Sequence, residues 1–99
     1  GNISFGGAIH GTAGDTTTDL TVNAGTGTVS FQLIDGATTD INDIAVTGST
    51  ITLNKNVNTG TSGTVGLTGN VALDTGDIAV DTSNGGGGTL TITGNVSGG

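Results

Sequence analysis

Few residues in this chain of 99 could carry chemistry. There is one histidine, His10, one cation, Lys55, and eight acids, all of them Asp. Cys, Pro, Met, Trp and Tyr are absent. The best-spaced carboxylates are Asp40 and Asp43, in Asp40-Ile41-Asn42-Asp43, and Asp74 and Asp77, in Asp74-Thr75-Gly76-Asp77. Two carboxylates at one corner could donate oxygens to Ca²⁺, which takes roughly six to eight of them. If the chain stacks in phase, Asp43 and Asp77 fall on the same corner and add to one another. Neither stretch matches the EF-hand loop, and no Gly-Gly-x-Gly-x-Asp phrase occurs. The plainer reading is that these Asp residues cap turns by bonding to nearby backbone amides and keep the surface hydrated. Calcium is the one cofactor the residues suggest; no other is expected.

Catalysis has little to build on, and an enzyme is not expected. A nucleophilic triad needs a His or Lys base beside Ser or Cys. His10 lies between Ile9 and Gly11, with only Asp15 and Asp19 near it in sequence, and reads as a turn or surface histidine. Paired Asp residues also serve glycoside hydrolysis, but Phe5 and Phe31 are the only aromatics available to line a sugar site. Gly85-Gly86-Gly87-Gly88 is followed by neither Lys-Ser/Thr nor a helical pattern, so it reads as a flexible corner and not a phosphate loop. Asn2-Ile3-Ser4 and Asn95-Val96-Ser97 match the short, unspecific glycosylation pattern.

The charge balance narrows the partners. A net charge of −7 with one Lys leaves no basic surface to neutralise phosphates, so nucleic acid is not an expected partner. Without Cys there is no disulfide framework or thiolate metal site, and a lone His cannot build a multi-His zinc site. No apolar run approaches the roughly 20 residues of a membrane helix, so membrane insertion is not expected. The chain opens Gly1-Asn2-Ile3-Ser4-Phe5, with neither Met nor a basic leader. It is expected to be a single β-repeat domain over 1–99, mature or processed, or a fragment of a longer repeat array.

The elements that must position these groups are strands. Gly and Thr, 21 of each, make up 42 of the 99 residues. Gly costs about 1 kcal/mol in a helix interior relative to Ala, and Thr, Val and Ile lose χ1 freedom there. The apolar residues alternate with polar ones, as in Leu20-Thr21-Val22, Val29-Ser30-Phe31, Ile51-Thr52-Leu53, Val65-Gly66-Leu67 and Leu90-Thr91-Ile92. That period of two marks half-buried strands and argues against disorder.

The strands repeat. A phrase of Gly or Ser, then Asn or Thr, then apolar-x-apolar begins at Gly1, Gly27, Ser49, Gly63 and Gly88. A second phrase, Asp-apolar-x-Val, begins at Asp19, Asp43 and Asp77. Three of the four intervals between first phrases lie in the low-to-mid twenties. The Gly63 copy breaks the period and reads as an extra strand pair or a degenerate copy. Such units suit an all-β fold, a β-solenoid (β-helix) of about four imperfect rungs, with a β-sandwich as the alternative. Neighbouring rungs would lie roughly 4.8 Å apart. Neither terminus carries a capping element, and both are themselves repeat-like. The ends are therefore expected to meet copies of the chain or flanking repeats, edge to edge.

The phrases Asp-Leu-Thr-Val-Asn-Ala-Gly-Thr-Gly-Thr-Val-Ser-Phe (19–31) and Gly-Gly-Gly-Gly-Thr-Leu-Thr-Ile-Thr-Gly-Asn-Val (85–96) resemble repeats of giant bacterial surface proteins. These are the filamentous-haemagglutinin-like and autotransporter-like adhesins, whose Gly/Thr/Asn-rich arrays are often β-helical. The resemblance implies a secreted, elongated, non-enzymatic protein, extracellular or at the cell surface. The expected role is a structural stalk or self-assembling fibre. The alternatives are an adhesin or Ca-stiffened repeat contacting a cell-surface glycan and, third, an ice-binding protein. The third rests on Thr-x-Thr pairs such as Thr50/Thr52 and Thr91/Thr93, and on the 24-residue interval from Thr26 to Thr50 as one coil.

Overall fold

The computed structural model describes residues 1–11, 19–35, 41–59, 63–74, 78–82 and 88–98. Among them there is no helix. Their strands are β1 (Ile3–Ser4), β2 (Ile9–His10), β3 (Leu20–Asn23), β4 (Thr28–Phe31), β5 (Ile34–Asp35), β6 (Ile44–Leu53), β7 (Val57–Asn58), β8 (Val65–Leu73), β9 (Val80–Asp81), β10 (Leu90–Thr93) and β11 (Val96–Ser97). Every pairing between them is parallel. The larger sheet runs β1-β4-β6-β8-β10, with β3 also on β6 and β11 also on β8; the smaller runs β2-β5-β7-β9. Parallel neighbours one winding apart define a β-solenoid.

Each winding passes three stations. The winding of β6 and β7, for example, enters the larger sheet at Ile44–Thr47, leaves it at Thr50–Leu53 and crosses the smaller sheet at Val57–Asn58. Period-two alternation turns one residue of each pair inward, and register stacks these residues into columns. Ile3, Val29, Ile51, Val71 and Val96 form one column, Leu20, Ile44, Val65 and Leu90 a second, and Ile9, Ile34, Val57 and Val80 a third. In the middle windings the columns are sealed: Val29, Phe31 and Ile51 are fully buried, and Ile44, Leu53, Val65 and Val71 nearly so. Phe5 stacks on Phe31 with ring centroids 5.1 Å apart and planes within 6°.

The uneven repeat spacing is absorbed between stations. Nine positions separate Leu20 from Val29, but six separate Val65 from Val71, while both pairs keep their columns. At the junction of the two stations, β6 sets Gly48 and Ser49 against the single residue Gly69 of β8, a β-bulge between Thr47 and Thr50.

Three expectations are corrected. The Gly63 phrase is not an extra or degenerate unit: Val65 pairs with Ile44 on one side and Leu90 on the other, so it forms an ordinary station of the larger sheet. The phrase starting at Asp77 does not align with the one at Asp43. It leads to Val80, which pairs with Val57 in the smaller sheet, whereas Asp43 leads to Ile44 in the larger. Asp77 itself lies outside the described residues, so the corner it was expected to share with Asp43 is not described. Thr50 pairs with Thr28 and not with Thr26, so the winding there is 22 residues and not 24.

Candidate functional site

The polar residues with defined work sit at the corners. Asp43 stands just before β6. Its Oδ1 accepts from the Thr64 amide at 3.0 Å and from the Thr64 hydroxyl at 3.2 Å, and its own amide donates to Asp19 Oδ1 at 3.1 Å. The same bond recurs elsewhere. Asn2 Oδ1 accepts from the Thr28 amide at 3.0 Å, Asn56 Oδ1 from the Ala79 amide at 2.9 Å, and Asn70 Oδ1 from the Asn95 amide at 3.1 Å. In every case a side-chain oxygen on one winding serves a backbone N–H on the next. By contrast, Asn23 Oδ1 accepts from the Gly25 amide at 2.9 Å, the local turn bond that the composition suggested. Asx residues at these corners thus bridge windings where backbone pairing is interrupted. Sequence spacing carried that signal, since Asp19 and Asp43 head the same phrase one winding apart.

Of the four calcium candidates, the two among the described residues, Asp43 and Asp74, stand apart. Asp43 is committed to the ladder. Asp74 follows β8, its amide donating to the Leu53 carbonyl at 3.0 Å, at the opposite end of the long strands from Asp43. Asp40 and Asp77 lie outside the described residues. Among the described residues no group of three or more His, Asp, Glu or Cys side chains is placed to hold a metal ion. His10 stands on β2, in register with Asp35 on β5, with Nδ1 3.8 Å from Asp35 Oδ2 and the imidazole half exposed.

The ladder predicts a separation of two variants. Asp43→Ala leaves the Thr64 amide without its acceptor and is expected to lower stability by about 1–2 kcal/mol, as loss of a capping oxygen does. Asp43→Asn keeps an acceptor in place and should fall within about 0.5 kcal/mol of the parent. Urea titrations followed by circular dichroism measure both; equal losses would show that the carboxylate charge, and not its hydrogen bond, is what matters.

A second feature of the structure is its outer edge at β10 and β11. Val65 and Val71 are each 1% exposed, whereas Leu90 and Val96, the next residues in the same columns, are 41% and 51% exposed. The apolar columns run undiminished to the edge formed by β10 and β11. Comparison of the chain with protein-family models, with curated proteins and with solved structures gives no match in any of the three.

Proposed function

We propose that the chain is a structural element of an elongated extracellular stalk or fibre, built by stacking further windings, from copies of itself or from flanking repeats, on its outer edges. The reading is mechanical and not catalytic. Each winding bonds to the next by a parallel backbone ladder, side-chain rungs such as Asp43 to Thr64, and columns of aliphatic side chains, so tension along the axis is shared among many contacts. The observation that carries it is the exposure of Leu90 and Val96 in columns that are sealed one winding earlier. Full burial of such a side chain is worth about 1.5–3 kcal/mol, so covering the 41% of Leu90 and 51% of Val96 still exposed contributes roughly half of that each, and the unpaired strand edge beside them templates a further strand. The Gly/Thr/Asn-rich phrases over 19–31 and 85–96, which resemble the repeats of bacterial surface adhesins, support the same role and location.

The test is the association of the purified chain. At high concentration, negative-stain images and sedimentation velocity are expected to show end-to-end oligomers or filaments. Salt should promote them by screening the −7 charge that each copy carries. Val96→Lys together with Leu90→Lys should block growth at that edge. A chain that stays monomeric across concentration and salt would defeat self-assembly as its role.

A further inference from the structure

The two ends of the solenoid carry matching sets of strands. Among the described residues β1, β2 and β3 pair on one side only, with β4, β5 and β6, and their other edges form the first end. At the second end β9 and β10 present their outer edges, and β11 covers the exit half of β8 beside them. The apolar side chains left partly open divide between these ends: Ile3, Phe5, Ile9 and Leu20 at the first, Leu73, Val80 and Leu90 at the second. Gly94-Asn95-Val96-Ser97, which contains β11, repeats Gly1-Asn2-Ile3-Ser4, which contains β1, and both phrases occupy the same station.

That repetition decides how a second copy can fit. With its β1 resting on an intact β11, the copies meet at one station only. The second copy's β3 then stands two windings from β10, and its β2 two windings from β9, leaving a strand-wide gap at each. With its β1 in the place of β11, all three stations close together. Ile3 falls on Val71 and Phe5 on Leu73, Ile9 on Val80, and Leu20 on Leu90, while His10 comes to Asp81 as it already stands to Asp35. Gly1 points the same way. A Cβ on Gly27, Gly69 or Gly94, at the same corner, would overlap the carbonyl oxygen of the glycine one winding earlier, whereas a Cβ on Gly1 would meet nothing within 4 Å. Its being glycine is accounted for when it sits where Gly94 sits, against the Gly69 carbonyl of another copy. The Asn2 amide then takes the place of the Asn95 amide, which donates to Asn70 Oδ1 at 3.1 Å.

Building on the end-to-end stacking above, we propose that copies join head to tail by strand replacement. Residues 1–4 of one copy displace residues 94–97 of the next from β8, and its β2 and β3 add to β9 and β10. The displaced segment is the one most easily lost: β11 pairs on one side through two residues, and its Val96 is 51% exposed. What replaces it is a complete winding-to-winding contact of the kind found inside the solenoid, with backbone pairing supplying affinity and the apolar columns supplying register. Each copy keeps one free end of each kind, so the operation repeats along the axis.

The chain has no cysteine, so an introduced pair reports the register directly. Thr21→Cys and Thr91→Cys are placed together in the full chain, at two exposed positions of β3 and β10. Within one copy they lie three windings apart, roughly 14 Å, too far for a disulfide. Across a replaced junction they are direct neighbours; across a junction that keeps β11 they stand two windings apart, roughly 10 Å. Oxidation is expected to give a ladder of covalent multimers on a denaturing gel. Val96→Asn, which loosens β11 without changing the charge, is expected to tighten association several-fold in sedimentation equilibrium, because it eases the displacement. Association without the ladder, together with weakening by Val96→Asn, would overturn strand replacement and leave simple stacking on β11 in force. A parent chain and a Val96→Asn chain that both stay monomeric at every concentration would overturn both.

Discussion

Gly69→Ala is expected to unfold much of the larger sheet at temperatures where the parent is fully folded. Gly69 stands at the bulge junction with φ at +137°, a region that side-chain-bearing residues rarely occupy. A Cβ on its backbone would overlap the carbonyl oxygen of Gly48 on the preceding winding. Gly48 has little room to retreat, because its own Cβ direction lies 3.2 Å from the Gly27 carbonyl oxygen and 3.2 Å from a methyl of Val29. Neither atom is the loose end of a flexible side chain, so relief requires the windings to separate. Backbone strain of about 1–3 kcal/mol adds to overpacking of about 1–3 kcal/mol. The expected loss is about 3–5 kcal/mol, against a total stability of roughly 5–10 kcal/mol for a domain of this size. Thermal melts followed by circular dichroism measure it. Gly6→Ala, where a Cβ meets nothing within 4 Å, is the control and should shift the melt little. A Gly69→Ala chain melting within a few degrees of the parent would show that the windings are not held at this junction.

That junction illustrates what could and could not be read from the residues. The alternation in Val29-Ser30-Phe31 and Ile51-Thr52-Leu53 is a local property, and it correctly implied strands, their inward faces and a stacked, repeating architecture. Which phrase lies over which is not local. The phrases at Gly27 and Gly63 look alike because both pair a small residue and Thr with apolar-x-apolar. Yet one leads into the second station of its winding, at Val29, and the other into the first, at Val65. Asp-Ile-Ala-Val occurs twice for the same reason, once leading into the larger sheet and once into the smaller. Any inward-facing triplet fits any station, so register is chosen by the summed columns and by the lengths of the connections, and a motif scan sees neither. The carboxylates show a similar limit. An Asp at a corner has one sequence signature, whether it closes its own turn, holds an ion or bridges to the next winding. Only stacking reveals that Asp43 reaches Thr64, 21 residues away.

Phe31→Ala is the second large effect, and its distribution along the chain matters more than its total. Phe31 has no exposed surface, and it is one of only two aromatic residues, stacked on the other. Truncating a buried Phe typically costs about 3–5 kcal/mol, because the cavity is only partly closed by relaxation. A solenoid confines that loss, since each winding touches only its neighbours. On one side of Phe31 lies the winding of β1 and β2, held through Ile3 on Val29, Ile9 on Ile34 and the ring of Phe5 on Phe31. Those strands are two residues long, so once the ring contact is gone little remains to fix residues 1–10. On the other side Leu53 is itself nearly fully buried and still anchored to Leu73 through the long strands β6 and β8. Hydrogen exchange should therefore show protection lost first over 1–10, while amides of 44–53 and 65–73 stay protected, and the thermal melt should broaden as the first winding detaches. Phe31→Leu retains most of the buried volume and should keep the loss below about 1.5 kcal/mol. Exchange that rises uniformly from Ile3 to Ser97 in Phe31→Ala would mean that the chain unfolds as one all-or-none unit, and the nearest-neighbour account of how this fold carries load would not hold.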